Sequence, residues 1–266
     1  MRSLLSLLLV VALVIPAPVA MASAAGATSQ ATTSGAAEER FVHVLAQTTT
    51  HYDTDRSHAG RAHNVELAAQ LLDGAVIEPG ATFSFNERVG DRTLERGFRR
   101  APELSEGQLR MGVGGGVCQV ASTLHVGALT TGLTVVERRA HSIVSRYIDA
   151  GLDATVVYGR SDFRVANPHA FPVQIRAEAH DGELTVRLMG TEAIEAATVE
   201  TAVVRHLPMR TTEVTDASLA SGTRVVEDEG RDGVVVRVRV VRPDGSSSEE
   251  IVRYQSQARV VRVAAH

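Results

Sequence analysis

The chain of 266 residues sets 27 basic side chains against 31 acidic ones, a formal net charge of -4, and so lacks the cationic excess that nucleic-acid binding requires. All 27 basic residues are arginine, and the absence of lysine excludes Schiff-base catalysis, a phosphate-binding P-loop and a lysine general base. A single cysteine, Cys118, excludes an intramolecular disulfide and any multi-cysteine metal centre, while 44% hydrophobic residues with no tryptophan point to a core of Val, Leu, Ala and Ile in one or two domains of ~100–200 residues each.

The chain opens with Met1-Arg2, an apolar stretch over residues 4–15, Pro16 and Pro18, and the small-residue run Ala22-Ser23-Ala24. This pattern predicts a secretory signal peptide over residues 1–24: a basic start, an apolar segment short of the ~20 residues a bilayer span needs, and a cleavage site after Ala24. Left uncleaved, the segment would be the expected membrane contact, and no cysteine near the site offers lipid attachment. Residues 25–40 are rich in Ala, Thr, Ser and Gly, too poor in large apolar side chains to pack, and predict a flexible linker.

Residues 41–49 alternate loosely and predict a first strand. Val65, Ala68, Ala69 and Leu72 recur at helical spacing, predicting a helix over residues 63–72 with Asn64 as N-cap and Gly74 as the residue past its end. After the turn at Glu78-Pro79-Gly80, residues 82–85 have strand character, and residues 86–112 predict a long loop of the kind that rims a site or hides short elements. Val117, Val120, Ala121, Leu124 and Ala128 mark one face of a second helix ending at Gly132. Strands are predicted over residues 134–138, 154–158 and 163–166, and a hairpin over residues 173–188 turning at Asp181-Gly182. Residues 41–190 therefore predict an α+β domain with mostly antiparallel strands and two main helices. Past Gly190 no helical period remains. Alternation over residues 234–241, the turn Pro243-Asp244-Gly245 and renewed alternation over residues 250–254 predict a small all-β domain over residues 196–266, the alternative being a strand extension of the first domain.

A lone thiol in an exported chain needs a reason, because an oxidising compartment captures exposed thiols. One reading is a buried small hydrophobe. The other starts from Gly114-Gly115-Gly116, which lets a ligand approach the backbone, and from the place of Cys118 in the first helical turn, where free N–H groups and the helix dipole favour a thiolate. Those N–H groups also suit an oxyanion. At 100° per residue, Ser122 and His125 lie within ~40° of Cys118 on the helix. His141 is a candidate general base, and either Asp153 or Asp162 a candidate third member that orients it. With no lysine in the chain, any base or cation serving Cys118 must be His or Arg. Metal chemistry competes through His51, His58 and His63 near Asp53 and Asp55, but no H-x-x-x-H or H-E-x-x-H pair is present and a solvated loop is the expectation.

The segments Thr82-Phe83-Ser84-Phe85-Asn86, Gly114-Gly115-Gly116-Val117-Cys118-Gln119-Val120-Ala121-Ser122-Thr123-Leu124, Glu137-Arg138 with His141-Ser142, and Asp153-Ala154-Thr155-Val156-Val157-Tyr158-Gly159 with Asp162-Phe163 resemble the VanW family over residues 41–190. That family is named for a component of glycopeptide-resistance clusters, and the resemblance implies a cell-envelope setting and no particular reaction. Its members usually carry Tyr where this chain has His125, which directs attention to His141. Pro208, the run Ala217-Ser218-Leu219-Ala220-Ser221-Gly222-Thr223, and Gly230, Gly233 and Gly245 resemble the domain named for its five glycines, although its usual last glycine is not evident. That resemblance implies wall-sugar binding or an elongated spacer.

Together these features predict a secreted envelope protein with a thiol-dependent acyl-transfer or hydrolytic activity on peptidoglycan peptides. Its expected catalytic residues are Cys118, His141 and Asp162, with Gly114, Gly115, Gly116, Gln119, Ser122, Ser142 and Asp153 binding substrate. Neither metal nor cofactor is expected, and the expected partner is peptidoglycan or another wall component. The alternative is a non-catalytic wall-binding or scaffold protein with Cys118 buried.

Overall fold

In the computed structural model, which describes residues 40–105 and 108–265, the chain begins with strand β1 (His43–His51) and helix α1 (Ala59–Leu72). Strands β2 (Val76–Ile77) and β3 (Thr82–Ser84), helix α2 (Phe85–Val89), the hairpin β4 (Arg100–Ser105) and β5 (Gln108–Val113), and helix α3 (Val117–Thr131) follow. Strands β6 (Thr134–Glu137), β7 (Arg164–Ala166), β8 (Val173–His180) and β9 (Glu183–Gly190) complete this part. The main sheet has the order β1-β9-β8-β2 and a smaller one the order β3-β7-β6, all antiparallel. The expected signal peptide and all but the last residue of the expected linker lie outside the described residues. No helix among the described residues is long and apolar enough to cross a membrane.

The hairpin is where the sequence placed it. Asp181 and Gly182 both take positive φ, 52° and 85°, as a two-residue turn matching the strand twist requires. Against this sheet α1 and α3 bury Val65, Leu72, Val120 and Leu124 on Ile175, Leu184 and Leu188, all without exposed surface. Each such side chain contributes ~1.5–3 kcal/mol relative to exposure. The large apolar residues are mostly aliphatic, as the composition demanded.

Three local expectations change. Helix α1 starts four residues before His63, and Asn64 is not its cap. Asn64 lies inside the helix, where its side-chain amide donates to Arg99 O at 2.9 Å and Gly115 O at 3.0 Å and accepts from Arg99 N at 2.7 Å. A buried amide that satisfies another segment's backbone outweighs the capping preference of its residue type. Residues 86–112 do hide elements, α2 and the β4–β5 hairpin. Residues 154–158 form no strand beyond an isolated bridge between Val157 and Ser161. Alternate amides are taken by α3 instead: Ala154 N donates to Ser122 Oγ at 2.8 Å and Val156 N to Cys118 Sγ at 3.4 Å, while Thr155 N turns to Arg139 O at 2.7 Å.

The C-terminal part is all β, in two sheets that share no strand with those before it. Strand β10 (Thr198–Leu207) pairs with β13 (Gly233–Val241), which pairs with β14 (Ser247–Tyr254). Strand β11 (Thr211–Asp216) runs parallel to β15 (Arg259–Ala264), whose other edge holds β12 (Arg224–Asp228). The described residues from 40 onward nevertheless form one compact unit. A second apolar core joins Leu152, with Val126, Leu129 and Ile148 beside it, to Val236, Val238, Val252 and Tyr254 of the C-terminal sheet.

The chain before α3 is packed tightly on β4. A Cβ at Gly115 would lie 2.5 Å from Pro102 O and 2.9 Å from Ala101 O, both backbone atoms. Gly115→Ala is therefore expected to lower stability by about 2 kcal/mol, read from urea unfolding at constant m-value, whereas Gly245→Ala, at a turn with open space but a φ of 81°, should cost about 1 kcal/mol through backbone strain alone.

Candidate active site

Helix α3 starts at Gly116, whose φ of 110° makes the sharp entry; no side chain caps the helix and no acidic residue sits in its first turn. The dipole's positive end therefore acts unopposed on Cys118, the second helical residue, although the neighbouring first-turn amides Val117 N and Gln119 N are already taken by Gly114 O at 3.2 Å and Gly116 O at 2.9 Å. Cys118 as a residue is partly buried. Sγ accepts from Val156 N at 3.4 Å and lies 3.6 Å from Val156 O. Burial pushes this thiol up, but hydrogen bonding and charge from His141, the Val156 backbone and the Arg92 guanidinium outweigh it and hold the thiol below its ordinary value.

His141 is buried against Asp153 and near enough to Cys118 for each to shift the other's ionisation. Its Nδ1 lies 2.5 Å from Asp153 Oδ2, and its backbone N–H donates to the same oxygen at 2.7 Å. With Nδ1 committed to the carboxylate, the other ring nitrogen is left for Cys118. Burial disfavours the imidazolium, but hydrogen bonds to Asp153 and Cys118 and the charges of both raise His141 to about 9. Opposite displacements of a neighbouring thiol and imidazole favour the thiolate–imidazolium pair at neutral pH.

Asp153 is 1% exposed. Burial opposes its charge, yet His141 and the Tyr254 hydroxyl hold it below the usual carboxylate range. Its Oδ1 accepts from the Tyr254 hydroxyl and lies 3.4 Å from Arg138 Nη2. Arg138 also donates to Asp153 O at 2.7 Å, Gly151 O at 2.6 Å and Glu250 Oε1 at 2.9 Å.

Asp162 is not among the groups around His141. It accepts from Ser84 Oγ at 2.5 Å, Asn86 N at 2.9 Å and Phe163 N at 2.8 Å, tying the start of α2 to β7. The geometry thus exchanges the two aspartates: Asp153, expected to bind substrate, orients the histidine, and Asp162 organises the loop. The three glycines provide close approach, but to the protein's own chain. A Cβ at Gly114 would lie 2.7 Å from Arg92 Cβ, and one at Gly116 3.0 Å from Arg61 Cγ. Gln119 is fully buried, its amide donating to Thr50 Oγ1 and His51 O at 2.9 Å each. Ser122, also fully buried, holds Ala154, and the Ser142 carbonyl accepts from Gln255 N at 2.7 Å. These residues build the walls of the site. His125 packs edge-on against Phe163 with Nδ1 2.8 Å from Leu152 O, and burial lowers it to about 4, which keeps it neutral. In the other histidine cluster His58 pairs with Asp55 at 2.6 Å, and no group of three or more metal-ligating side chains is set for an ion among the described residues.

Sequence reasoning missed Arg61, Arg92, Arg138, Tyr147 and Tyr254. Arg92 donates to Asn86 Oδ1 at 2.7 Å and Gly90 O at 3.0 Å and lies over the Phe85 ring. Arg61 donates to Gln119 Oε1 at 2.6 Å with its guanidinium 5.8 Å from the centre of the Tyr147 ring. The absence of lysine had already limited cations near the thiol to arginine, but nothing local in the sequence selects these among 27.

Alkylation of Cys118 by iodoacetamide is expected to follow an ionisation clearly below the ~8.5 of a free thiol. His141→Ala should move it back toward that value, because the largest influence lowering the thiol is then removed. A pH series of alkylation rates measures both.

The family described as VanW like protein matches residues 60–189, and the family G5 domain matches residues 198–265. The chain is 39% identical over 160 residues to the uncharacterized protein YoaR of Bacillus subtilis (strain 168), covering 59% of this chain and 53% of that protein. It is 31% identical over 130 residues to the vancomycin B-type resistance protein VanW of Enterococcus faecalis (strain ATCC 700802 / V583), covering 47% of each. It spans about half the length of the curated relatives it matches. Among solved structures, the IgA1 protease G5 domain is 23% identical, covering 26% of this chain and 87% of that one at a TM-score of 0.21. The chain carries a VanW-like domain followed by a G5 domain.

Proposed function

We propose that this protein is a thiol-dependent acyl-transfer or hydrolytic enzyme of the cell envelope, acting on peptide amides of peptidoglycan, with Cys118 as nucleophile, His141 as acid and base, and Asp153 orienting the imidazole. The observation that carries this reading is His141 held between thiol and buried carboxylate, the relation that activates a cysteine nucleophile on unrelated folds. The pairing of a VanW-like with a G5 domain supports an extracellular or cell-envelope setting, and a relative named for vancomycin resistance supports the wall as the place of action.

Sγ of the thiolate attacks the amide carbonyl carbon, forming a C–S bond, while the positive end of the α3 dipole favours the developing oxyanion. As the C–N bond breaks, the His141 imidazolium gives its proton to the departing amine. The thioester is then attacked by water or by a second amine, whose proton passes to His141. The C–S bond breaks and the starting ion pair is restored.

Purified protein incubated with peptidoglycan fragments is expected to change their mass profile, and Cys118→Ala to leave it unchanged from buffer. Identical profiles for the two proteins would sink this reading and favour a wall-binding module. The rate should follow a bell in pH whose alkaline limb falls near about 9, where His141 loses the proton that the departing amine needs.

A further inference from the structure

We propose that the G5 domain completes the active site: Tyr254, the last residue of β14, is a positioning residue that fixes the carboxylate of Asp153 for His141. This inference rests on the proposed roles of Cys118, His141 and Asp153. Tyr254 has no exposed surface, and its hydroxyl is spent on two partners across the domain junction. It donates to Asp153 Oδ1 and accepts from Gly151 N at 2.6 Å. With Oδ1 held from one side, Oδ2 is presented to both N–H groups of His141.

The surroundings are built to hold this bond. Arg138, with its side chain 4% exposed, joins Asp153 and Gly151 to Glu250 of β14, so one cation spans both domains. Gln255 N, next to Tyr254, donates to Ser142 O beside His141. Gly151 has φ 100°, and a Cβ there would lie 2.5 Å from Val238 Cγ2, so the loop before Asp153 is seated directly on β13. The VanW-like segment thus supplies the nucleophile, the base and the carboxylate, while the group that fixes the carboxylate's second oxygen comes from the next domain. Removing that hydroxyl leaves the buried Gly151 N–H unpaired, and it then competes with His141 for Asp153.

Tyr254→Phe keeps the ring in the second core and deletes the hydroxyl alone. In the full chain, the pH profile of its iodoacetamide rate at Cys118 is expected to move up by about one pH unit, so that at pH values below the ionisation the rate falls about tenfold. In an Asp153→Asn background the same change should add no further shift, because Tyr254 acts through that carboxylate. A folded Tyr254→Phe protein with the wild-type profile overturns the inference, since loss of packing alone lowers the melting temperature without moving the ionisation. An equal further shift in the Asp153→Asn background also overturns it. If the wild-type thiol itself titrates as an ordinary one, the proposed nucleophile falls and this inference with it, a result distinct from an activated thiol indifferent to Tyr254. Should Tyr254→Phe not fold, the phenolic proton of Tyr254 in wild-type protein decides by NMR: it should shift as His141 titrates near about 9, and an unchanged resonance overturns the inference.

Discussion

The buried carboxylate of Asp153 is the constraint on which the rest of this structure turns. A charge 1% exposed survives inside a protein only if nearly every lone pair finds a donor, because uncompensated burial costs several kcal/mol. The donors come from two stretches of chain: Arg138 and His141, the latter through backbone and ring, just after β6, and Tyr254 at the end of β14. Satisfying one anion therefore draws the long connection after α3 and the C-terminal sheet to the same point. The histidine that faces the thiol is held by the same bonds.

Helix α3 is the second half of that arrangement. One side packs on the main sheet, and Val126 and Leu129 turn outward into the second core with Val236, Val238 and Tyr254. A helix buried on both sides cannot slide without opening two cores, so its first turn is a rigid mount for Cys118. Its polar residues serve the same end. Ser122 and Cys118 occupy amides of the passing segment 154–156, which keeps that segment out of any ladder and lays it along the thiol. The charges around the thiol all act in one direction: the helix dipole, the imidazolium and Arg92 favour the thiolate, and no acidic residue in the first turn opposes them.

Much of this was legible in the sequence wherever the signal is local. The period of Val117, Val120, Ala121, Leu124 and Ala128 marked α3, Gly132 ended it, and Asp181-Gly182 marked the hairpin, because backbone sterics and side-chain period act over a few residues. Signals that depend on partners far along the chain were misread. Asn64 has the residue type of a cap but spends its amide on Arg99 and Gly115. Residues 154–158 have the composition of a strand but lose alternate amides to a helix. Asp153 and Asp162 were equivalent candidates because both follow His141 within a short stretch, and only burial and direction distinguish a carboxylate that faces the imidazole from one that ties α2 to β7.

By itself, then, the sequence determined that the one thiol can have only histidine or arginine as a cationic neighbour, that it opens a helix behind three glycines, and that an α+β part precedes an all-β one. Those conclusions rest on which residues exist and on periods of two to four, which need no knowledge of the fold. The tertiary structure alone decided which histidine lies near the thiol and which aspartate holds that histidine, that the glycines admit the protein's own chain, and that Tyr254, over a hundred positions after Cys118, reaches the same carboxylate. Such choices follow from burial and hydrogen-bond satisfaction between distant segments, which no local pattern encodes.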